Sequence, residues 1–557
     1  MKRFVCLSIL LLASVSLWAE TTSRYTVILR SEAARERLPR IVANSDEARV
    51  RQVRNFRNIN AFAANLTPSE VAELRRSADV ESVRPVVARH VSSITPSVET
   101  NISPFKRQSV PWGIDAIKAR EVWPVTKGSS AVHVAVIDTG IEEGHADLVH
   151  AYAGGVNIVD PSKPPHDDHK HGTHVAGTIA AADNQIGVVG VAPNVKIWAV
   201  KVLNHQGDGT DEGVAAGIDW VVSKSKEVGG RWVINLSLGA YEYSEVEDRA
   251  VQNAIANGVV VVAGAGNRGY AILDYPAGYR NVISVGATDI KSTLAEFSSH
   301  GPGMTIVAPG VEVASTLPNG LNTAADVEYN GAIYDGWGLK GAPMGNIDGP
   351  FVYVGVGNLS DFPINMAGKI AVASRGEIQF RVKARNAKEA GAKGLIIINA
   401  EDDRDDVKNW SLIVQRCNEN GCTIDPEWVD YPFPLTIGVS YEDGQKILAT
   451  AINNTSSRAV VEFRWEPYGK LDGTSMSTPH VAGAAALLLS VEPTANVAQI
   501  ALALESTAKD LGDSGWDFHY ASGLLDVLKA AQWLKPSAFG LSSPPPVQPS
   551  KRRSGRS

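Results

Sequence analysis

The spacing of apolar and polar residues changes several times along this chain, and each change marks a different element. From Tyr25 to Arg30 the two alternate as on a strand with one covered face, Glu32 to about Ala43 is rich in helix formers, and Ile59 to Leu66 is strand-like. Thr67-Pro68-Ser69-Glu70 then opens a helix as a capping box, with Thr67 at the N-cap, Pro68 at the first helical position and Glu70 reaching back. Val80 to Val87 supplies a closing strand. The order βαββαβ predicts a small ferredoxin-like unit over about 24–90. His90 to Arg107 is polar without clear periodicity and reads as an exposed linker, where proteolytic nicking concentrates.

From Val132 onward short apolar strands alternate with helical segments. Val132 to Ile137, Lys196 to Leu203, Trp232 to Leu236, Val259 to Val262 and Val282 to Val285 are the strands; Gly213 to Val222 and Val246 to Ala256 are helices between them. Continuous apolar strands in such alternation predict an α/β fold, a parallel sheet covered on both faces with its ligand chemistry at the strands' carboxyl ends. The rhythm breaks near Leu317 and resumes only at Leu471. Between them lie Gly368-Lys369-Ile370-Ala371-Val372, a helix from Val382 to Ala392, and the buried-looking strand Gly394-Leu395-Ile396-Ile397-Ile398. An inserted domain over 322–463 explains this better than a loop, since structureless loops beyond about 15 residues are uncommon. The stretch 536–557, with Ser543-Pro544-Pro545-Pro546 and Lys551-Arg552-Arg553, is poor in apolar residues and is expected to be disordered.

Composition narrows the class. The 557 residues exceed one ordinary domain of about 100–200 residues. Lys plus Arg number 53 against 60 Asp plus Glu, a formal charge of −7, so nothing argues for a nucleic-acid partner. Only Cys6, Cys417 and Cys422 occur, which excludes a disulfide-built scaffold. Lys2 and Arg3 precede an apolar run from Phe4 to about Ala19, which reads as a secretory signal peptide over 1–19. Cleavage after Ala19 is one option, and a cut after Ser16 suits the small-residue pattern better. The run is broken by Ser8, Ser14 and Ser16 and is marginal for a span of roughly 18 residues; Ala482 to Val491 is shorter still. The expectation is therefore a secreted protein without a membrane span once the leader is removed.

Three polar residues stand in glycine-rich settings. Val134-Ala135-Val136-Ile137-Asp138-Thr139-Gly140 ends an apolar strand in an acid, which by itself could simply cap a turn. His171-Gly172-Thr173-His174-Val175-Ala176-Gly177 puts a histidine at the mouth of a small-residue helix. Gly473-Thr474-Ser475-Met476-Ser477-Thr478-Pro479-His480 leads into an apolar helix. A serine there can be a plain cap, but the position also sets its hydroxyl beside unpaired N–H groups that stabilise an oxyanion. A serine nucleophile needs a base, an orienting group for that base and donors for the tetrahedral oxyanion. Asp138, His171, Ser475 and the amide of Asn267, in Gly264-Ala265-Gly266-Asn267, are candidates for all four roles.

The three motifs, in the order Asp, His, Ser, resemble those of the subtilisin family of serine proteases over roughly Gln108 to Leu317 and Leu471 to Leu534. Gln108-Ser109-Val110-Pro111-Trp112-Gly113 is similar to the start of the mature enzymes. The resemblance implies Ser475 as nucleophile, His171 as general base and then acid, Asp138 as orienting carboxylate, Asn267 as oxyanion donor and His174 as structural. It implies substrate bound as an extended strand against Gly207-Asp208-Gly209 and Ser237-Leu238-Gly239, with Gly264-Ala265-Gly266 as the pocket wall. By the same resemblance Asp274, before Tyr275-Pro276, falls near where the family closes the pocket preceding the scissile bond. A carboxylate there would favour Lys or Arg, and Arg268 would oppose it.

Ala182-Asp183-Asn184-Gln185-Ile186-Gly187-Val188 resembles the family's strong Ca²⁺ loop, which implies carbonyls of Ala182, Ile186 and Val188 and the amide oxygen of Asn184, completed by Gln108 and Asp147. A rival reading makes zinc ligands of His166, His169, His171 and His174 with Asp167 and Asp168, but leaves the Asp138 and Ser475 motifs unexplained. The βαββαβ unit resembles the inhibitor-type propeptide of subtilisins, so 20–107 is read as a covalently attached inhibitor, removed by self-cleavage between about His90 and Gln108. Catalytic parts are expected at 108–321 and 464–535. The insert resembles a protease-associated domain through Gly368 to Val372, Arg375-Gly376, Asn386-Ala387, Ala390-Gly391-Ala392 and Ile396 to Ile398. Cys417 and Cys422 lie inside it, and export would allow them to form a disulfide. The function expected is that of a monomeric, self-processing, Ca²⁺-stabilised serine endopeptidase acting on proteins or peptides. A catalytically silent peptide-binding protein is the alternative from another class, disfavoured because no catalytic position is replaced.

Overall fold

The computed structural model describes residues 21–34, 52–91, 108–401, 410–412, 415–418, 421–424, 431–453 and 458–545. The leader 1–19, the stretch 92–107 that holds the expected processing position, and residues 546–557 lie outside them. The chain divides into two compact units, Met1–Val86 and Val87–Ser557.

In the first unit Ser23–Leu29 lies between Ala61–Leu66 and Val80–Pro85, antiparallel to both, with Arg54–Asn55 beyond Ala61–Leu66. Val27 sits opposite Phe62 on one side and Val83 on the other, so one face of the sheet gathers Val27, Leu29, Phe62, Ala64 and Leu66 over Val71 and Leu74 of the helix Pro68–Arg76. The capping box forms as its sequence demands: Glu70 N donates to Thr67 Oγ1 at 3.3 Å and Thr67 N to the Glu70 carboxylate at 2.9 Å. The other expected helix is seen only at residues 32–34.

The second unit is built on a seven-stranded parallel sheet. Its strands in spatial order are Ile306–Pro309, Ile283–Thr288, Val260–Gly264, Arg231–Leu236, Val132–Asp138, Lys196–Lys201 and Tyr152–Asn157. Both faces are covered. Val134 and Val136 join the core formed with Val481 to Leu489, whereas Ile137 on the other face approaches Gly217 of the helix Asp211–Val228. The helix Thr474–Val491 is buried on every side except at Ser490, which accounts for its lack of a polar stripe. Among the described residues no helix is long and apolar enough to cross a membrane.

Val313–Thr316 pairs antiparallel with Tyr468–Leu471, and between these two strands the chain makes a closed seven-stranded barrel, from Thr323–Tyr329 to Arg458–Trp465. Ile370, Val372, Ile396 and Ile398 point into the barrel, while Ala371, Ala373, Leu395 and Ile397 pack with Ala384 and Ala387 of the helix Phe380–Glu389. Covering on both sides is why these strands read as unbroken apolar runs. Cys417 and Cys422 are backbone register partners in the antiparallel pair of Gln415–Asn418 and Gly421–Ile424.

Two expectations need correction. The linker does not begin at His90, because Ala88–Val91 is a strand of the second unit. Nor does the tail begin irregularly at 536: Pro536–Phe539 is a 3₁₀ turn closed by Leu541 N on Pro536 O at 3.0 Å.

Candidate active site

The carboxyl end of Val132–Asp138 delivers Asp138 into a fully buried position, where its Oδ1 lies 2.7 Å from His171 Nδ1. Thr139 N donates to the same oxygen at 2.7 Å, which fixes the carboxylate. His171 begins the helix His171–Ala180, and a Cβ on Gly172 would lie 2.1 Å from Gly140 O, so glycine is what lets this helix come so close to the strand end. The loop before His171 is tied down by Asp167. One of its oxygens accepts from Thr139 Oγ1, His169 N and Lys170 N at 2.8–3.0 Å, the other from Thr173 N and Oγ1 at 2.8 and 2.6 Å. Sequence reading missed this support and saw Asp167 only as a metal ligand; an acid just ahead of a helix start, followed by a threonine in its first turn, was the available signal.

Ser475 is the second residue of its helix, after Gly473 at φ +144°. Its Oγ donates to Ser237 O at 2.9 Å, Ser237 Oγ donates back to Ser475 O at 2.9 Å, and Asn235 Nδ2 donates to Ser237 Oγ. His171 Nε2 is buried without a hydrogen-bond partner. Asn267 Oδ1 accepts from both Thr474 N and Thr474 Oγ1 at 2.8 Å, which turns the amide nitrogen toward the serine turn. A Cβ on Gly473 would come within 3.0 Å of Asn267 Nδ2.

The segments around the cleft already carry a strand. Ala88–Val91 is the middle of a three-stranded antiparallel sheet between Asp208–Thr210 and Leu238–Gly239. Val91 N donates to Gly207 O at 2.9 Å, and a Cβ on Gly209 would strike Val202 O at 2.5 Å. Behind Gly264, Ala265 and Gly266, Ala265 N pairs with Val285 O and Asp274 N with Ala265 O. Gly266, at φ +108°, leaves room for the Asp274 carboxylate, which accepts from Arg268 Nε at 3.0 Å. Asp274 therefore faces a cation of its own neighbourhood. Burial raises its carboxyl above the ordinary value, with Arg268 pulling the other way.

Among the described residues His166, His169, His171 and His174 with Asp167 and Asp168 do not form one close ligand group. His174 is wholly buried with Nε2 on Val313 O at 2.9 Å, and burial brings its pKa down to about 3, as for a neutral structural ring. Among the described residues the cluster of three or more His, Cys, Asp or Glu side chains that could hold a metal ion is Glu142, Glu143 and His166, with ligand atoms within 4.8 Å of one another. Elsewhere, Gln108, Asp147, Ala182, Asn184, Ile186 and Val188 meet in one loop. Gln108 Nε2 donates to Ala182 O at 2.6 Å, Asn184 Nδ2 and Val188 N donate to the buried Asp147 carboxylate at 2.8 and 3.0 Å, and Ile186 N to Asn184 Oδ1 at 3.1 Å.

Comparison with known proteins agrees with this geometry. Residues 129–334 and 353–523 match the Subtilase family, and residues 15–92 match Peptidase inhibitor I9. The chain is 40% identical to an alkaline protease of Alkalihalobacillus alcalophilus over 278 residues, 50% of this chain and 67% of that protein. It is 40% identical to subtilisin E of Bacillus subtilis (strain 168) over 283 residues, 50% and 68% of the two chains. Against subtilisin Savinase of Lederbergia lenta the identity is 46% over 211 residues, 38% of this chain and 76% of that one. The crystal structure of the psychrophilic subtilisin-like protease Apa1 from the Antarctic psychrotroph Pseudoalteromonas sp. AS-11 superposes with a TM-score of 0.51 at 28% identity, covering 77% of this chain and 99% of that one. With more than half its length matched by the family, the chain belongs to the subtilase family of serine endopeptidases and carries an inhibitor-type propeptide.

Proposed function

We propose that Ser475, His171, Asp138 and Asn267 cleave peptide bonds in chains bound as Ala88–Val91 is bound. That observation carries the reading: a strand of this chain lies between the two glycine-flanked segments, and one of them leads directly to Ser237, whose carbonyl holds the Ser475 hydroxyl. Substrate pairs its backbone with Gly207, Asp208 and Gly209 on one side and with Ser237, Leu238 and Gly239 on the other. The Ser475 hydroxyl turns from Ser237 O to His171 Nε2, a hydrogen bond of the kind that often forms only with substrate in place. His171 takes the proton as Oγ attacks the carbonyl carbon, and Asp138 holds the resulting imidazolium through Nδ1–H. The oxyanion falls to Asn267 Nδ2 and the N–H groups opening the serine helix. His171 then protonates the leaving amine, and water resolves the acyl-enzyme by the same route. Labelling with an active-site serine phosphonate tests the assignment: the expected adduct is on Ser475, and folded, processed protein that takes no label would refute it.

In this reading 1–19 is a secretion leader, 20–107 the propeptide, 108–321 and 464–535 the catalytic parts, and the barrel over 322–463 a protease-associated domain governing substrate access. Secretion is supported by the leader's composition and the kinship above. Ser475→Ala is expected to leave the precursor uncut in a host lacking other proteases. Ca²⁺ belongs in the loop of Gln108, Asp147, Ala182, Asn184, Ile186 and Val188. What supports it there is a fully buried carboxylate whose donors, Asn184 Nδ2 and Val188 N among them, are neutral, with the Ala182 carbonyl and the Asn184 amide oxygen in the adjoining loop. Bound Ca²⁺ would supply the missing positive charge. Chelation by EDTA is expected to lower the melting temperature, by the equivalent of about 2–3 kcal/mol at a hundredfold excess over Kd; no shift would remove the site.

A further inference from the structure

The strand Ala88–Val91 buries a side chain that catalysis does not use. Arg89 has no exposed surface. Its Nε and Nη2 donate to the Glu247 carboxylate at 3.1 and 2.7 Å, Nη2 also to Glu242 O at 3.0 Å, and Nη1 to Ala88 O at 3.0 Å. Glu247 lies in the first turn of the helix Glu245–Ala256, is equally buried, and accepts from Tyr279 Oη at 2.8 Å. Asp211 stands beside it, accepting from Ser244 Oγ at 2.7 Å and Val87 N at 3.0 Å.

A buried guanidinium is tolerated only where a planar fork meets a carboxylate and its remaining donors find oxygens. Here Glu247, Glu242 O and Tyr279 belong to the catalytic framework. The cation belongs to a strand in the place of substrate. The register fixes which position that is. Val91 sits opposite Leu238 and His90 opposite Gly239, and the residue before Leu238 is Ser237, whose carbonyl holds Ser475 Oγ. A substrate in this register is cut after the residue opposite Ser237, so the side chain in Arg89's place is the fourth before the scissile bond.

We propose that Glu247, held by Tyr279 and flanked by Asp211, is a specificity-determining residue that selects arginine as the fourth residue before the bond to be cut. The inference rests on the endopeptidase reading above and names the peptides it takes. Lysine offers a point charge that cannot fork across Glu247 and Glu242 O, and an apolar side chain leaves the carboxylate buried and unpaired. The neighbouring positions lack this discrimination. His90 meets Asp208 at a half-exposed pair, and Asp274, in the pocket nearest the scissile bond, is already paired with Arg268.

The test uses internally quenched peptides identical except at the fourth position, carrying arginine, citrulline, lysine or alanine, with the processed enzyme obtained from the full chain. Citrulline keeps the shape of arginine and removes its charge. The kcat/KM for arginine is expected to exceed that for citrulline and alanine by about 30-fold, with lysine between. In Glu247→Gln the arginine-to-citrulline ratio is expected to fall to about threefold or less. If that variant does not fold, the ratio in the unaltered enzyme still decides. Equal rates for arginine and citrulline, in enzyme that a serine phosphonate labels, would overturn the pocket and leave the endopeptidase standing. Enzyme that neither takes the label nor cuts any peptide would overturn both.

Discussion

Two buried ionisable pairs, Asp138–His171 and Arg89–Glu247, are alike in distance and burial. Asp138 and His171 meet at 2.7 Å with neither side chain exposed; Arg89 and Glu247 meet at 2.7 Å, also unexposed. They differ in where their members come from. Asp138 and His171 both hang from the parallel-sheet framework, on a strand end and the start of the next helix. Arg89 comes from the strand lying between Asp208–Thr210 and Leu238–Gly239, Glu247 from a framework helix. Burial therefore cannot separate the pair proposed to catalyse from the pair proposed to recognise. The first should govern how fast a bond breaks, and the second which chain is chosen.

The largest effects should appear around Asp138 and His171. Asp138→Asn leaves the shape nearly intact but takes away the acceptor that orients Nδ1–H, so kcat is expected to fall by about 10⁴-fold with little change in KM. A fall in kcat/KM confined to arginine peptides would break the comparison. Asn267→Ala removes one oxyanion donor and should lower kcat by about 10²–10³-fold, again for all peptides alike. Both are read by steady-state kinetics on an arginine and an alanine peptide in parallel.

At the other pair, Arg89→Ala in a Ser475→Ala precursor strands Glu247 without its cation. The precursor is expected to lose about 3 kcal/mol of stability, measured by denaturant unfolding. Adding Glu247→Gln should recover much of that loss, because the penalty comes from the unpaired charge more than from lost contacts. Additive losses in the double variant would mean that the two residues do not act as a pair.

Legibility in the sequence followed the range over which each feature is encoded. The Asp138, His171 and Ser475 settings are strings of a few residues, each needing glycines at fixed places, such as Gly172 against Gly140 O, and so were readable one by one. The strands Val132–Asp138 and Gly394–Ile398 were readable because both of their faces are buried. Tyr152–Asn157 was missed: it is an edge strand with Gly154 and Gly155 in its middle and is mostly half-covered, so it lacks the apolar run of its neighbours. Ile306–Pro309 was too short to stand out. Arg89 and Glu247 are 158 residues apart, and each alone is an ordinary charged residue beside a strand or in a helix's first turn. Only the register of Ala88–Val91 against Leu238–Gly239 joins them.

The smallest expected effect is also the one that most directly asks whether charge is being read. Burial raises the Glu247 carboxyl above its ordinary value; Arg89 and the Tyr279 hydroxyl bond pull it down, and Asp211 pushes it further up. When arginine occupies the pocket, the charged form is held; when citrulline occupies it, nothing opposes protonation. Arginine therefore favours the charged carboxylate and citrulline does not, so the advantage of arginine is complete at high pH and shrinks as falling pH protonates Glu247. Going from about pH 8 to about pH 5, the arginine-to-citrulline ratio in kcat/KM is expected to decline. Taking the ratio cancels any pH dependence that the two peptides share. A ratio that stays level across this range would show that fit alone distinguishes the two side chains and that the Glu247 carboxylate is not what reads them.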